Sequence, residues 1–217
     1  MPRKKEFDVD AVVDKAMHAF WKRGYESTSL NNLLDCMQIQ RASLYNAFGD
    51  KHSLFLEALI RYDVVYRRAE VAKRVQRPSP RQAILDLFQD AVTAAVKHGA
   101  RDGCFLINTA LEMSPHDPEV AKIVRAAFAH MEHKFFRKMI EKGRAMGEID
   151  QSVVPAPTAR ALLSLLIGLV VLSRSRPEKL LLESIAKEAA SLLPPVEKST
   201  LDFAPSDRSQ KLTNALV

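Results

Sequence analysis

Two stretches, Gly24-Tyr-Glu-Ser-Thr-Ser-Leu30 and Gln40-Arg-Ala-Ser-Leu-Tyr-Asn-Ala-Phe-Gly-Asp-Lys-His-Ser-Leu-Phe55, decide the fold of this 217-residue chain. The apolar residues in and between them recur at helical spacing, and a tight turn precedes a short helix predicted from Arg41 to Phe48. Leu44 and Phe48 are four residues apart, so both lie on the inward face of that helix. The opposite face keeps short polar groups, as a helix that enters a DNA major groove requires. The pattern predicts a helix-turn-helix.

Helical periodicity continues on both sides of this unit, and no convincing alternating strand pattern accompanies it. A first helix is predicted to begin near Asp8 or Asp10, and Thr28 is the predicted cap of the second helix. Asp50 is the predicted cap of a fourth helix that runs to about Val75. Five further helices are predicted over residues 79–98, 105–113, 117–146, 158–173 and 178–193. The predicted fold class is therefore all-α.

Proline residues divide the chain. Residues 1–50 are predicted to form the helix-turn-helix domain, with a connecting helix over residues 50–75. Pro78 and Pro80 then break the chain, and residues 76–195 are predicted to form a regulatory and dimerisation domain. Residues 196–217 follow Pro194 and Pro195 and are predicted to be a flexible tail, although a terminal helix there stays open.

Composition narrows the class of protein. The net charge is +6, which favours polyanionic partners such as nucleic acid but is weak evidence alone. Two cysteines cannot build a disulfide framework or a four-ligand zinc site, so a reducing, cytoplasmic location is expected. No secretion signal is recognised. The apolar stretch from Ala161 to Ser173 is predicted to form a buried helix that is too short to span a bilayer. No membrane association and no cofactor are expected.

The two quoted stretches resemble the TetR family signature, which runs G-[FY]-x-x-T-S and then, after a helix and a turn, S-L-Y-x-x-F-x-x-K-x-x-L. The turn residues Gln38 and Ile39, the cap Gln40 and the polar Asn46 depart from the usual pattern without changing the spacing. The resemblance implies a homodimeric regulator that binds an operator in double-stranded DNA. It also implies a repressor released from a palindromic operator by a small-molecule effector.

The resemblance and the chemistry of the side chains assign roles on the DNA. Tyr45 and Lys51 match family positions that touch phosphates, and Thr28, at a helix start, can meet another phosphate. Arg favours guanine edges, whereas Asn and Gln favour adenine. A solvated polar surface is the alternative for any single residue. The predicted DNA-binding residues are Thr28, Gln40, Arg41, Ala42, Ser43, Tyr45, Asn46 and Lys51. The basic run Arg3-Lys-Lys5 is either a minor-groove arm or a frayed terminus.

The regulatory domain is expected to hold the effector pocket. Aromatic and methionine side chains at helical spacing would line the pocket, although they could equally form core. The predicted pocket residues are Phe88, His98, Cys104, Phe105, Asn108, Phe128, Met131 and Phe135. Cys104 precedes a helix and lies near Arg101, which could lower its pKa, so a repressor that senses electrophiles or oxidants through this thiol is an alternative. An inert, partly buried thiol is the competing interpretation.

Two apolar helices near the end of the regulatory domain predict a dimer. Their apolar faces exceed what one small domain needs, so pairing with a second copy as a four-helix bundle is expected. The predicted interface residues are Leu162, Leu166, Leu169, Leu181, Ile185 and Leu192. His130 and His133 would give a metal only two ligands, so no metal site is predicted. No common catalytic motif is found. The alternatives are a helical enzyme, an adaptor that has lost DNA binding, and a DNA-binding activator or local autoregulator that is not a strict repressor.

Overall fold

The computed structural model describes residues 7–98 and 102–196, and all regular structure within them is helical. The head comprises α1 (Val9–Arg23), α2 (Leu30–Met37) and α3 (Arg41–Phe48). The long helix α4 has three consecutive segments: α-helical Lys51–Arg61, π-helical Tyr62–Arg67 and α-helical Arg68–Val75. Next come α5 (Pro80–His98) and α6 (Phe105–Glu112). The long helix α7 comprises Pro118–His130, π-helical Met131–Arg137 and Lys138–Ala145, and it is followed by α8 (Pro155–Ser175) and α9 (Lys179–Ser191).

Side-chain caps fix where the head helices begin. Asp8 caps α1 through a bond from the Asp10 amide (3.0 Å), and Asp50 caps α4 through a bond from the Ser53 amide (2.6 Å). The turn between α2 and α3 places Gln38 in the left-handed region, at φ 58°. Gln38 is the only non-glycine residue with positive φ in the described part of the chain. An L side chain is disfavoured there, so this turn carries local strain.

Two apolar cores divide the molecule. The first joins α1 to α3 and the start of α4 with α6 and the beginning of α7, and Phe55 connects these parts. The Phe55 ring packs edge-on against Phe20 and Phe105, with ring centroids 5.0 and 5.7 Å apart. The second core joins the end of α4 with α5, the rest of α7, α8 and α9. Helices α4 and α7 therefore belong to both cores and connect the head to the helices of the second core.

Helix α8 is longer than the sequence suggested. It spans 21 residues and is long and apolar enough, by length and composition, to cross a membrane. The expectation that this apolar segment is too short is therefore wrong. One such helix is weak evidence for a membrane protein, because an apolar helix packed on a soluble core passes the same test.

Three of the six residues predicted for the dimer interface point into the core of their own chain. Leu162, Leu166 and Leu169 are at most 8% exposed and pack into the second core of their own chain. The prediction that they meet a partner is wrong, because the more apolar stripe of α8 covers the protomer's own core. The other three, Leu181, Ile185 and Leu192, remain half-buried at the surface of the single chain.

Candidate DNA-binding site

Helix α3 stands with one face anchored and the other in solvent. Leu44 is fully buried and Phe48 nearly so, both in the first core. Solvent-facing positions carry most of the predicted contacts, and Ser43 is half-buried between the two faces. The exposed residues of this face are Gln40, Arg41, Ala42, Tyr45 and Asn46. The structure thus brings these predicted residues together on one outward surface.

The two residues at the start of α3 differ in how their side chains are held. Gln40 is the N-cap residue, and its side chain makes no capping bond, so the amide group is available. Arg41 is held instead: its Nη2 donates to Oδ1 of Asn31 on α2 (3.0 Å). This contact restricts where the guanidinium can point. Asn31 was not predicted as a site residue from the sequence, because nothing in the pattern of α2 distinguishes it from a solvated residue.

The structure places the Thr28 side chain in the interior and not at the exposed helix start where it was predicted. Its side chain is fully buried, and Oγ1 donates to the carbonyl of Gly24 (2.6 Å). The cap of α2 is Ser29, whose Oγ accepts the Asn32 amide at 3.1 Å, while Asn32 Oδ1 accepts the Ser29 amide in return. The prediction of Thr28 as the cap and as a phosphate ligand through its hydroxyl is therefore wrong. The exposed Ser29 takes that place at the helix start.

Lys51 lies at the start of α4, beside the outer face of the head. Its Nζ is 4.2 Å from the centroid of the Tyr25 ring, a cation–π contact that fixes the side chain. Tyr25 itself packs on Phe55 of the first core, at a centroid distance of 4.9 Å. The half-buried Lys51 is therefore attached to the head through an edge-on aromatic pair.

Comparison with known proteins supplies the family. The family of bacterial regulatory proteins known as tetR matches residues 12–58, and the tetracyclin repressor-like C-terminal domain matches residues 80–187. YezE, an uncharacterized HTH-type transcriptional regulator of Bacillus subtilis strain 168, is 37% identical over 151 residues, which are 69% of this chain and 77% of YezE. The chain belongs to the TetR family. It is therefore a DNA-binding transcriptional regulator, and the all-α prediction is confirmed.

Other TetR family proteins cover nearly the whole chain. The repressor ComR of Escherichia coli K12 is 29% identical over 197 residues, which are 90% of this chain and 93% of ComR. A solved structure of the TetR family regulator CifR, a cysteine-substituted form complexed with 26-bp operator DNA, is 29% identical. It has a TM-score of 0.75 and covers 89% of this chain and 100% of that chain. Reduced E. coli NemR, at 17% identity and a TM-score of 0.76, shares the fold.

The apolar residues predicted for a TetR-like effector pocket divide between the two apolar cores. Phe105 is buried in the first core, and Phe128 packs against it. Phe88 and Phe135 are buried in the second core, where Met131 packs against them. These five side chains therefore contribute to core packing, and their role in an effector pocket stays a prediction. The side chain of His98, like Arg101, lies outside the described residues.

Asn108 is occupied by structural contacts. Its Oδ1 accepts from Arg174 Nη1 at the end of α8 (2.7 Å), and its Nδ2 donates to the carbonyl of Asp102 (2.8 Å). The same Asp102 carbonyl accepts from the Trp21 indole Nε1 (2.9 Å). Asn108 therefore links α8, through the turn before α6, to helix α1 of the head.

Cys104 lies at this same junction. It is the N-cap residue of α6 and is half-buried, and its Sγ is 3.6 Å from the Tyr62 hydroxyl. Burial, together with the neighbouring thiol, raises the pKa of Tyr62 well above its ordinary value, so the phenol stays neutral. The Tyr62 ring packs edge-on against Trp21 at a centroid distance of 5.1 Å. The thiol is thus in contact with an aromatic pair that joins α4 to the head.

Proposed function

We propose that this regulator is a homodimeric repressor that binds a palindromic operator and releases it when a small molecule binds the regulatory region. The observation that carries the proposal is the exposed polar face of α3, with Arg41 held by Asn31 and with Leu44 and Phe48 anchoring the helix from behind. Similar proteins support it: ComR is a repressor, and CifR was solved in complex with operator DNA. We infer that it acts in the cytoplasm and that the chain has no catalytic role.

The contacts on DNA follow from side-chain chemistry. We assign Arg41 to a guanine edge, where a bidentate contact to O6 and N7 discriminates between base pairs. Gln40 and Asn46 suit adenine. Tyr45 and Lys51 are assigned to phosphates, which position the head without reading sequence. The exposed start of α2, which Ser29 caps, joins them, because a helix start offers amide groups to an anion.

The dimer is assigned to the outer faces of α8 and α9. Ile167, Gly168 and Val171 are half-buried and follow one stripe of α8. A Cβ at Gly168 would meet nothing within 4 Å, so a partner helix can approach the backbone closely there. Leu181 and Ile185 continue the apolar surface on α9. Two such pairs form a four-helix bundle, which places two α3 helices for successive major grooves, about 34–36 Å apart.

Effector control is assigned to the bonds between head and regulatory region. Besides the Trp21 contact, the Glu26 amide donates to Glu112 Oε1 at the end of α6 (3.0 Å). His52 Nε2 lies 2.6 Å from Asp117 Oδ2 at the start of α7. Because these bonds attach the head to α6 and α7, a ligand that shifts either helix changes the spacing of the two heads. Such a ligand favours the dimer geometry that cannot dock both heads.

A thiol-dependent repressor is the second candidate, favoured by the contact between Cys104 and Tyr62. Addition of the thiolate to an activated C=C bond forms an S–C bond and breaks the C=C π bond, and the second carbon takes up a proton from water. The group now on Sγ must displace the Tyr62 hydroxyl 3.6 Å away. Tyr62 contacts Trp21, so the displacement would reach α1. Full modification of Cys104 with a maleimide, in a Cys36→Ser background, should then weaken operator binding. Unchanged operator affinity after complete modification excludes this candidate.

The repressor proposal is tested by selecting duplexes from a random library with the full-length protein. We expect a palindromic site and an affinity that falls steeply with salt, because phosphate contacts release counterions. Sedimentation of the free and bound protein should give two chains in both states. A protein that shows no preference for any duplex over random DNA refutes the proposal.

A further inference from the structure

A basic cleft lies between two long helices, away from the head. It has a volume of about 310 Å³ and opens between the last segment of α4 and the middle of α7. One wall is a single stripe of α4, and the other is a single stripe of α7. The residues that carry the argument are Arg68, Val71 and Val75 on α4, and His130, Lys134 and Lys138 on α7.

The charge of this cleft is positive and not neutralised. Lys134 and Lys138 are exposed, and neither forms an ion pair within residues 7–98 and 102–196. Arg68 shares the buried carboxylate of Asp63 with Arg67, so two guanidinium groups meet one negative charge. None of the described residues that line the cleft is acidic. Like charges at this spacing repel each other, so an anion between the walls would lower the energy.

Buried polar atoms beside the cleft lack partners. His130 Nδ1 and Arg67 Nη1 are shielded from solvent and have no hydrogen-bond partner. Burial, with the nearby charges of Arg67, Arg68 and Lys134, lowers the pKa of His130 against the opposing effect of Asp63, so the ring is neutral at pH 7. A neutral imidazole can still donate one hydrogen bond. Unpaired buried polar groups are costly, so a ligand that reaches the His130 nitrogen from the cleft would lower the energy.

The apolar side of the cleft defines the rest of the ligand. Val71 is buried and Val75 half-buried, and together they form an apolar strip along the α4 wall. The volume is about twice that of a cavity of about 150 Å³ that accepts benzene. It therefore suits an anion of about twelve non-hydrogen atoms. We propose that this cleft binds a small organic acid, with its carboxylate between Lys134, Lys138 and His130 and its apolar part against Val71 and Val75.

The position of the cleft relates it to regulation, and this step rests on the proposed repressor function. Both walls adjoin π-helical segments, Tyr62–Arg67 in α4 and Met131–Arg137 in α7. Such segments often occur at functional sites, because the wider turn displaces side chains from the regular ladder. An anion that draws α7 toward α4 acts on the two helices that run through both cores. The cleft is thus a site where an organic acid would act as the effector.

The test measures binding to the full-length protein by titration calorimetry without DNA. The probes are 4-phenylbutyrate, its neutral amide 4-phenylbutyramide, and acetate, which lacks the apolar part. We expect saturable binding of 4-phenylbutyrate only. Lys134→Gln and Lys138→Gln should each weaken it about tenfold, because each removes a charge-assisted bond. Lys122→Gln, an exposed lysine on α7 outside the cleft, is the matched control and should bind normally.

Three results overturn the site: no saturable binding of the carboxylate, equal binding of the amide, or unchanged affinity in both lysine variants. Operator affinity is measured separately, by fluorescence anisotropy on the selected duplex. Carboxylate binding with the expected pattern but without any change in operator affinity overturns the effector role. Failure to bind any operator, with the carboxylate pattern intact, instead refutes the repressor function, so the two failures are distinguishable.

Discussion

Replacing Arg41 with alanine should sharply reduce sequence discrimination while leaving the protein folded. Arg41 is exposed, and its one described side-chain bond is to Asn31, so the free energy of unfolding should change by less than about 0.5 kcal/mol. A good bidentate base contact contributes about 1–3 kcal/mol of discrimination, and the proposed dimer makes it twice. The operator affinity should therefore fall by about 2–6 kcal/mol, or about 30-fold to about 20,000-fold.

The assay is fluorescence anisotropy on the selected operator and on a scrambled duplex, at one salt concentration and then across a salt series. Arg41→Ala should lose affinity on the operator far more than on scrambled DNA. Arg41→Lys, the matched control, keeps the charge but lacks the bidentate fork, so it should retain scrambled-DNA affinity and lose discrimination. An equal loss on both duplexes, with a salt slope reduced by about one per head, would refute the assignment, because Arg41 would then contact a phosphate.

Three further predictions concern the fold. Gln38→Gly should stabilise the protein by up to about 1 kcal/mol in urea titrations at fixed protein concentration, since it relieves a left-handed residue; a loss of stability would contradict this. Trp21→Phe should cost about 0.5–1.5 kcal/mol by removing the bond to the Asp102 carbonyl, and an unchanged urea midpoint would speak against the junction. Hydrogen bonds from the Val120 amide and from His52 lower the pKa of Asp117 in the folded protein. As the pH falls, the unfolded chain therefore binds a proton at this carboxylate before the folded protein does. The stability of the wild-type protein should fall as the pH drops below about 4. Asp117→Asn should reduce this dependence of stability on pH. Identical stability–pH profiles for the wild type and the variant would exclude Asp117 as its cause.

Local chemistry predicted the head well. Helix α3 begins and ends where the sequence placed it, because Leu44 and Phe48 set its inner face and Gly49 ends it. The cap Asp50 is confirmed, and of the two predicted starts of α1 the structure selects Asp8, since a carboxylate beside the first amides is a short-range effect. The same reasoning failed one residue away: Thr28 and Ser29 are both good caps, and only the turn at Gly24 decided which hydroxyl is buried.

The amino-acid order thus determined the helices, their approximate ends and the polar face of α3, because all of these depend on residues at most a few positions apart. Tertiary structure decided which apolar faces became core, so Leu162 lies in the protomer's own core and not on the predicted dimer surface. It also brought Arg68 of α4 opposite Lys134 of α7, more than sixty positions later in the chain. No periodic pattern in the sequence predicts such a pairing, since the pairing arises from how two long helices pack across a shared core.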